Sequence, residues 1–348
     1  LMRVGTAKES YAADEGLFKT DTQKVWFGLL LAALVLYPLH GSNYWMFLAV
    51  LVMINVISTT GLNILTGYTG QVSLGHAAFM AVGAYTVAFF DGRFGTPVLL
   101  NLVLAGAVAA FIGYLVGLPS LRIKGLYLAI ATLAASVILG FVFLNWTPVT
   151  GGLRGLNVPT ARIFGIELAT PDRLYWLVMP ITVVMVLAAK NLFRTRVGRA
   201  FIAIRDRDIS AEIIGISLLK YKLTSFAISS FYAGVAGGLW AYLFRVVTPE
   251  SFPALASIFF LAAVIVGGAG TIVGGIFGAV FMTLIPEFLK LAATGVVPWF
   301  PDAPIYLAPV RNIIFGLLII GFLIFEPMGL AEMWRRTRRY FALWPFRT

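Results

Sequence analysis

Ten apolar runs divide the chain, at residues 25–40, 44–66, 77–90, 97–118, 125–145, 173–190, 223–244, 257–267, 276–292 and 310–325. A helix needs about 20 residues to cross a bilayer, and most of these runs approach that length. Helices are the expected element because lipid offers no partner for a backbone N–H or C=O. The pattern therefore predicts an all-α polytopic membrane protein. The runs at 77–90 and 257–267 are short and lie beside glycine-rich breaks. They read as half-helices, or as spans that borrow residues from those breaks. A polar tail, residues 1–24, precedes the 25–330 transmembrane region, and a basic tail, 331–348, follows it.

The two breaks resemble each other. The first runs Gly67-Tyr-Thr-Gly70-Gln71-Val-Ser73-Leu-Gly75-His76, the second Gly267-Gly-Ala-Gly270-Thr-Ile-Val-Gly-Gly275. In both, a glycine pair five apart (Gly70/Gly75 and Gly270/Gly275) opens an apolar helix. Interrupted helices at matching places in two halves point to a transport pathway. The competing reading is that glycines only let helices pack closely, which suffices for Ala233-Gly234 and Gly237-Gly238. At the first break Gln71, Ser73 and His76 add polar groups that packing does not require. His76 also fits a helix cap or an inter-helix hydrogen bond.

One polar island interrupts the apolar pattern, KNLFRTRVGRAFIAIRDRDISAEIIGISLLKYK at 190–222. It carries eight Lys/Arg against Asp206, Asp208 and Glu212. Arg199–Ile204 and Ser210–Leu219 read as two short helices with apolar faces, split by Arg205-Asp206-Arg207-Asp208. The island either only fixes topology through its charge or forms a docking surface for a cytoplasmic partner.

Charge placement orients the chain. With the N-terminus inside and each run crossing once, the inside regions collect the tail (Arg3, Lys8, Lys19, Lys24), Arg122 and Lys124, the eight of the island, and Arg335, Arg336, Arg338, Arg339 and Arg347. Nineteen of the 26 basic residues then lie inside, which predicts both termini in the cytoplasm. Residues 1–24 lack the apolar core of a signal peptide, so the first span is expected to stay as an anchor. The loop Trp146 to Asp172 is the longest outside stretch, suited to a receptor-facing surface or explained by its turn residues alone.

Composition narrows the chemistry. The 348 residues are 60% hydrophobic and only 12% charged, with mean hydropathy +0.91. Soluble domains average about 25% charged. The net charge of +11 does not signal nucleic acid, since the basic residues sit between apolar spans as orientation signals. With no cysteine and only His40 and His76, disulfides, thiolate catalysis and a zinc site are not expected. No acidic residue sits at the centre of a run, and Glu287 comes nearest, so a proton relay has only His76 and Glu287 to draw on. No Gly-Lys dipeptide exists, which excludes a P-loop, so any ATP is bound by another chain.

Five stretches carry a family resemblance: GLNILTGYTGQVSLGHAAFMAVGAYTVA (61–88), GLYLAIATLAASVIL (125–139), TGG (150–152), RVGRAFIAIRDRDISAEIIGISLLKYKLTSFAISSFYAGVAGGLWA (196–241) and VIVGGAGTIVGGIFGAVFMTLIPE (264–287). Together they resemble LivM-type permeases of branched-chain amino-acid ABC importers, over most of residues 44–325. The resemblance implies a multi-pass inner-membrane permease, in a bacterial or archaeal cytoplasmic membrane, with no active site of its own. It implies four kinds of partner: a second, LivH-like permease subunit, two cytoplasmic ATPase subunits holding ATP and Mg, an extracytoplasmic substrate-binding protein, and membrane lipid. Residues 194–222 become the coupling loop, where Ala211-Glu212…Gly215 resembles a degenerate EAA motif and Arg205 and Asp206 are further contacts. The pathway residues implied are Gly67, Gly70, Gln71, Ser73, Gly75, His76, Gly267, Gly270 and Gly275. Leucine, isoleucine and valine are the expected substrates. Urea or another small solute is the alternative within the family, and a stand-alone carrier or channel the alternative outside it.

Overall fold

The computed structural model describes residues 21–39, 41–123, 125–163, 165–296, 310, 313–314, 316–317, 319–322, 324–326 and 328–343. Helices come in the order α1 (Asp21–Leu36), α2 (Asn43–Asn63), α3 (His76–Phe94), α4 (Val98–Gly117), α5 (Leu126–Asn145), the short α6 (Thr147–Thr150), α7 (Pro171–Leu192), α8 (Arg196–Ile213), α9 (Leu218–Phe244), α10 (Ala254–Gly267), α11 (Ile272–Val296) and α12 (Gly329–Leu343). The all-α expectation holds. Among the described residues seven helical segments are long and apolar enough to span a membrane, not ten. Three causes account for the difference. The apolar part of α1, Lys24–Leu36, is short. The 77–90 run is no half-helix: α3 extends it to 19 residues, but the extension adds Asp91 and Arg93. The 310–325 run lies partly outside the described residues.

α9 is the axis of the bundle, packed on α4, α3 and α2. Its small residues are the reason these helices approach so closely. A Cβ at Gly234 would strike the Ala105 carbonyl, and one at Gly237 would strike the Met80 carbonyl. Lipid tails are as apolar as the side chains, so close backbone contact, not hydrophobic exclusion, holds such helices together. For these glycines the packing reading is the one the fold displays. Polar pairs fix the register: Asn101 Nδ2 donates to Tyr242 Oη (2.9 Å) between α4 and α9, and Asn55 Nδ2 to Thr283 Oγ1 (2.9 Å) between α2 and α11. Glu287 accepts from the Tyr44 hydroxyl and faces Lys290 at 4.0 Å, so it ties the start of α2 to α11.

The Trp146–Asp172 loop is ordered by short pairings. β1 (Leu156–Asn157) pairs antiparallel with β4 (Val246–Val247), and β2 (Arg162–Ile163) with β3 (Ile166–Glu167). The first pairing fastens the α5–α7 connection to the end of α9.

On the opposite side, the polar island splits where the sequence predicts, but its second helix has other bounds. α8, from Arg196 to Ile213, is two helical stretches joined at a kink at Arg207, where φ is −158° and ψ 101°. The kink falls inside the Arg-Asp-Arg-Asp stretch that was expected to separate two helices. The second of those, Ser210–Leu219, does not exist as such. The chain turns at Gly215, where φ is +89°, and Leu218–Leu219 already belong to α9. Ser217 caps α9 by accepting from the Lys220 N–H.

Candidate transport and coupling site

α8 buries Gly198, Ala200, Phe201, Ile204 and Ala211 against the bundle. Arg205, Asp206, Glu212 and Gly215, all expected at a coupling surface, are exposed, whereas Ala211 is buried. Between the charged residues stand three exposed apolar side chains, two of which, Ile213 and Ile214, lie in the segment the sequence reads as a helix with an apolar face. Ile209, Ile213 and Ile214 are 68%, 80% and 74% exposed. Their signal was present in the spacing: Ile209 and Ile213 are four apart and share one face of the stretch that follows the kink.

Asp208 anchors the kink. Its Oδ1 accepts from the Ile209 N–H (2.9 Å), and its Oδ2 lies 3.7 Å from the Lys222 ammonium, whose side chain is 6% exposed. A buried lysine near the start of a membrane helix thus faces a carboxylate across the turn that precedes it. The sequence reading counts both among the charges of the island but does not pair them.

Arg205 points inward as well as outward. It pairs with Asp206 (2.9 Å) and donates from Nη1 to the Gly67 carbonyl (3.2 Å). The same guanidinium lies against Gly270, and the Arg205 stem lies against Gly70. Both glycines have positive φ, +73° at Gly70 and +77° at Gly270, a region other residues rarely adopt. The two breaks therefore meet each other and meet α8. Tyr68 adds a second link by stacking on Phe193, in the turn before α8.

Asn63 joins the breaks from within. It is 1% exposed, accepts from the Gly270 N–H at Oδ1 (2.9 Å) and donates from Nδ2 to the Thr271 carbonyl (2.7 Å). These are backbone groups left over where α10 stops and α11 starts. Thr271 supplies the remainder, its hydroxyl accepting from the Gly274 N–H (3.1 Å). A Cβ on Gly67 would collide with both Asn63 Oδ1 and the Gly270 nitrogen. The sequence marked the glycines and missed Asn63, although an asparagine inside an apolar run is itself a signal.

After α2 the chain passes through a π-helical turn, Ile64–Tyr68, and from Gly70 runs without helix to Gly75. The polar residues of this stretch bind neighbouring helices. Gln71 Nε2 donates to Ser225 Oγ of α9 (2.7 Å), and the Leu74 N–H donates to Thr132 Oγ1 of α5 (2.9 Å). The Ala77 N–H donates to Ser257 Oγ of α10 (3.0 Å). Ser73 Oγ accepts from the Gly75 N–H (3.3 Å). His76 Nε2 lies 3.0 Å from both the carbonyl and the hydroxyl of Ser58 on α2, with its ring edge-on to Phe260. Gln71, Ser73 and His76 are 5%, 1% and 1% exposed. The break is thus a junction of five helices, satisfied by side-chain hydroxyls, with Gln71 Oε1 the buried acceptor that finds no partner among the described residues. Gly267 and Gly275 stand at the α10–α11 crossing. A Cβ on Gly267 would meet the Gly274 carbonyl, while one on Gly275 would come no nearer than 3.4 Å to Asn63.

Among the described residues no cluster of three His, Asp or Glu side chains converges on a metal-sized site. A bundle of apolar helices, with two glycine breaks meeting beneath an exposed amphipathic helix, is the architecture of a transport permease component. The chain belongs to the family described as branched-chain amino acid transport system / permease component, whose model matches residues 44–323. It is 33% identical over 340 residues to the high-affinity branched-chain amino acid transport system permease protein LivM of Salmonella typhimurium, covering 91% of this chain and 76% of that protein. It is 24% identical to the probable branched-chain amino acid transport permease protein LivH of Methanocaldococcus jannaschii, covering 82% and 90%. A 28% identity links it to the autoinducer 2 import system permease protein LsrC of an Enterobacter strain, covering 74% and 70%. No solved structure matches the chain.

Proposed function

We propose that this chain is the pathway-forming permease subunit of an ATP-driven importer for leucine, isoleucine and valine. The observation that carries the reading is the alignment with a LivM-named protein across 91% of the chain. In this reading a second, LivH-like permease subunit completes the pathway, and similarity to a LivH-named protein supports a paired arrangement. Two ATPase chains bind ATP and Mg and receive α8 through Arg205, Asp206, Glu212, Gly215 and the exposed isoleucines. A substrate-binding protein delivers substrate on the opposite face. Both termini lie in the cytoplasm, and the membrane is a bacterial or archaeal cytoplasmic membrane.

The pathway is proposed at the glycine junction, Gly67, Gly70, Gln71, Ser73, Gly75 and His76 with Gly267, Gly270 and Gly275. A branched-chain amino acid is a zwitterion with an apolar side chain, so its route needs few fixed charges, some hydrogen-bonding groups and mostly apolar walls. The unpartnered Gln71 Oε1 supports this placement, because a buried acceptor without a donor is costly unless something else meets it. Arg205 links ATPase closure to that junction, moving the breaks when α8 is displaced.

Uptake by the reconstituted four-part assembly tests the reading, with labelled leucine competed by isoleucine, valine, urea and sugars. Saturable leucine uptake that requires ATP and the ATPase chains is expected. Uptake that persists without those chains would indicate a stand-alone carrier. Competition by other solutes but not by valine or isoleucine would favour the alternative that the LsrC-named relative motivates.

A further inference from the structure

We propose that α12 is an interfacial helix that binds anionic phospholipid headgroups. It goes beyond the transport reading and needs neither substrate nor ATP. The helix carries Arg335, Arg336, Arg338 and Arg339 against one acid, Glu332. At about 100° per residue, Arg335, Arg336 and Arg339 share one arc, and Leu330 and Trp334 fall on the other side. That other side is anchored: Leu330 packs on the Ala262, Val266 and Met282 cluster, and Trp334 meets the Phe277 ring edge-on. Met333, Trp334 and Tyr340 nevertheless stay roughly half exposed, flanking the arginines. Amphipathic rings beside arginines are the composition of a helix lying at headgroup depth.

Position adds a second argument. Just before α12, Ile324 and Phe325 are 68% and 82% exposed at the end of the 310–325 run read as spanning lipid, and Met328 in the turn that follows is 65% exposed. Only a few residues separate that surface from the arginines, so the guanidinium groups fall within reach of the headgroups. Charge then chooses the occupant. The α8 surface mixes Arg205 and Arg207 with Asp206 and Glu212, as a protein-docking surface does. α12 presents nearly one sign. Arg335 pairs with Glu332, and Arg336 with Glu326 at 2.9 Å, while Arg338 and Arg339 are exposed and no carboxylate pairs with either among the described residues. Four clustered arginines beside a membrane span attract anionic lipid.

The consequence reaches the glycine junction. A Cβ on Gly268 would lie 2.9 Å from the Met328 carbonyl and 3.1 Å from Ala331 Cβ, so the start of α12 rests directly on the second break. Lipid held by α12 is thereby in mechanical contact with the segment that also touches Arg205 and Asn63.

The chain has no cysteine, so Met333→Cys gives a single labelling position. The full-length M333C chain, carrying an environment-sensitive fluorophore, is reconstituted in phosphatidylcholine vesicles with or without about one-third phosphatidylglycerol. Nitroxide-labelled acyl chains report depth. Quenching is expected to rise with phosphatidylglycerol and to fall as salt is raised. R338Q/R339Q, which leaves the Arg335 and Arg336 ion pairs intact, should lower the phosphatidylglycerol preference by about fivefold per arginine. Equal quenching in the two vesicles, or an unchanged preference in R338Q/R339Q, overturns the proposal. So does shielding of position 333 that arises only on adding the ATPase chains, which would make α12 a protein-docking helix.

Discussion

Arg205 of α8 holds the carbonyl of Gly67, 3.2 Å from its Nη1, although 138 residues separate the two. Gly67 lies in the π-helical turn that follows α2, and its carbonyl accepts from the Arg205 guanidinium. The bond therefore joins the exposed, kinked α8 to the π-helical turn inside the bundle. Gly270 lies against the same guanidinium, so one side chain senses both breaks.

Arg205→Gln should uncouple the assembly. The variant keeps a polar, partly exposed side chain, so the chain should insert and purify normally. Substrate uptake should fall by about tenfold or more, the size of a typical coupling energy, while basal ATP hydrolysis by the partner chains continues. Arg205→Lys should recover only part, since a point charge lacks the planar fork. Wild-type uptake in the glutamine variant would remove Arg205 from the transmission route.

Lys222 and Asp208 make a stability prediction. Removing one member of a buried ion pair strands the other, at roughly 3–5 kcal/mol for full burial. Asp208 is 22% exposed, so water recovers part of its solvation and about 1–3 kcal/mol is expected for Lys222→Met. The D208N/K222M pair should restore most of that loss, because neither charge remains. Chemical unfolding of the detergent-solubilised chain measures the cycle. Additive losses in the double variant would mean that the two groups act independently.

How much of this was legible from the sequence depended on the range of the interaction. Helices announce themselves through local apolar runs, and the glycine breaks stood out as interruptions of them. The kink in α8 fell where Arg205 to Asp208 interrupted its apolar face. The contacts that define the site were hidden because their partners are remote in sequence. Asn63 reaches Gly270, and Gln71 reaches Ser225, only once α2, α9 and α11 are side by side. The chain reversal at Gly215 was missed for a different reason. Apolar residues continue through Ile214, Ile216 and Leu218, and periodicity alone does not reveal a single residue with φ of +89°.

Ile209 and Ile213 should govern assembly with the ATPase chains. Burying a large aliphatic side chain is worth about 1.5–3 kcal/mol, and these two lie exposed among charges on a loop surface. I209S/I213S should therefore weaken association by about tenfold or more, with the unfolding midpoint of the isolated chain unchanged. Glu212→Lys should weaken it further at low salt than at high salt, because an exposed charge is screened. Full-strength assembly of the double serine variant, measured by co-purification at graded ATPase concentration, would leave α8 with only a topological role.

The glycine junction makes the sharpest prediction because its residues are buried in the present conformation. Gln71, Ser73 and His76 are each at most 5% exposed. A pathway residue has to meet water at some stage of the cycle, whereas a packing residue never does. Cysteines placed singly at these positions should resist a water-soluble thiol reagent while the assembly rests, and react during ATP turnover with substrate present. A cysteine at Ile209 reports general accessibility, since it should react in the isolated chain and be shielded once the ATPase chains bind. Ser73 is the cleanest position: its hydroxyl accepts only the Gly75 N–H among the bonds described, so replacement by the near-isosteric thiol should disturb little. His76→Cys forfeits both Ser58 contacts and needs its unfolding midpoint checked alongside. If all three positions stay unreactive through turnover, the junction is a hinge that Arg205 moves, and substrate crosses elsewhere in the assembly.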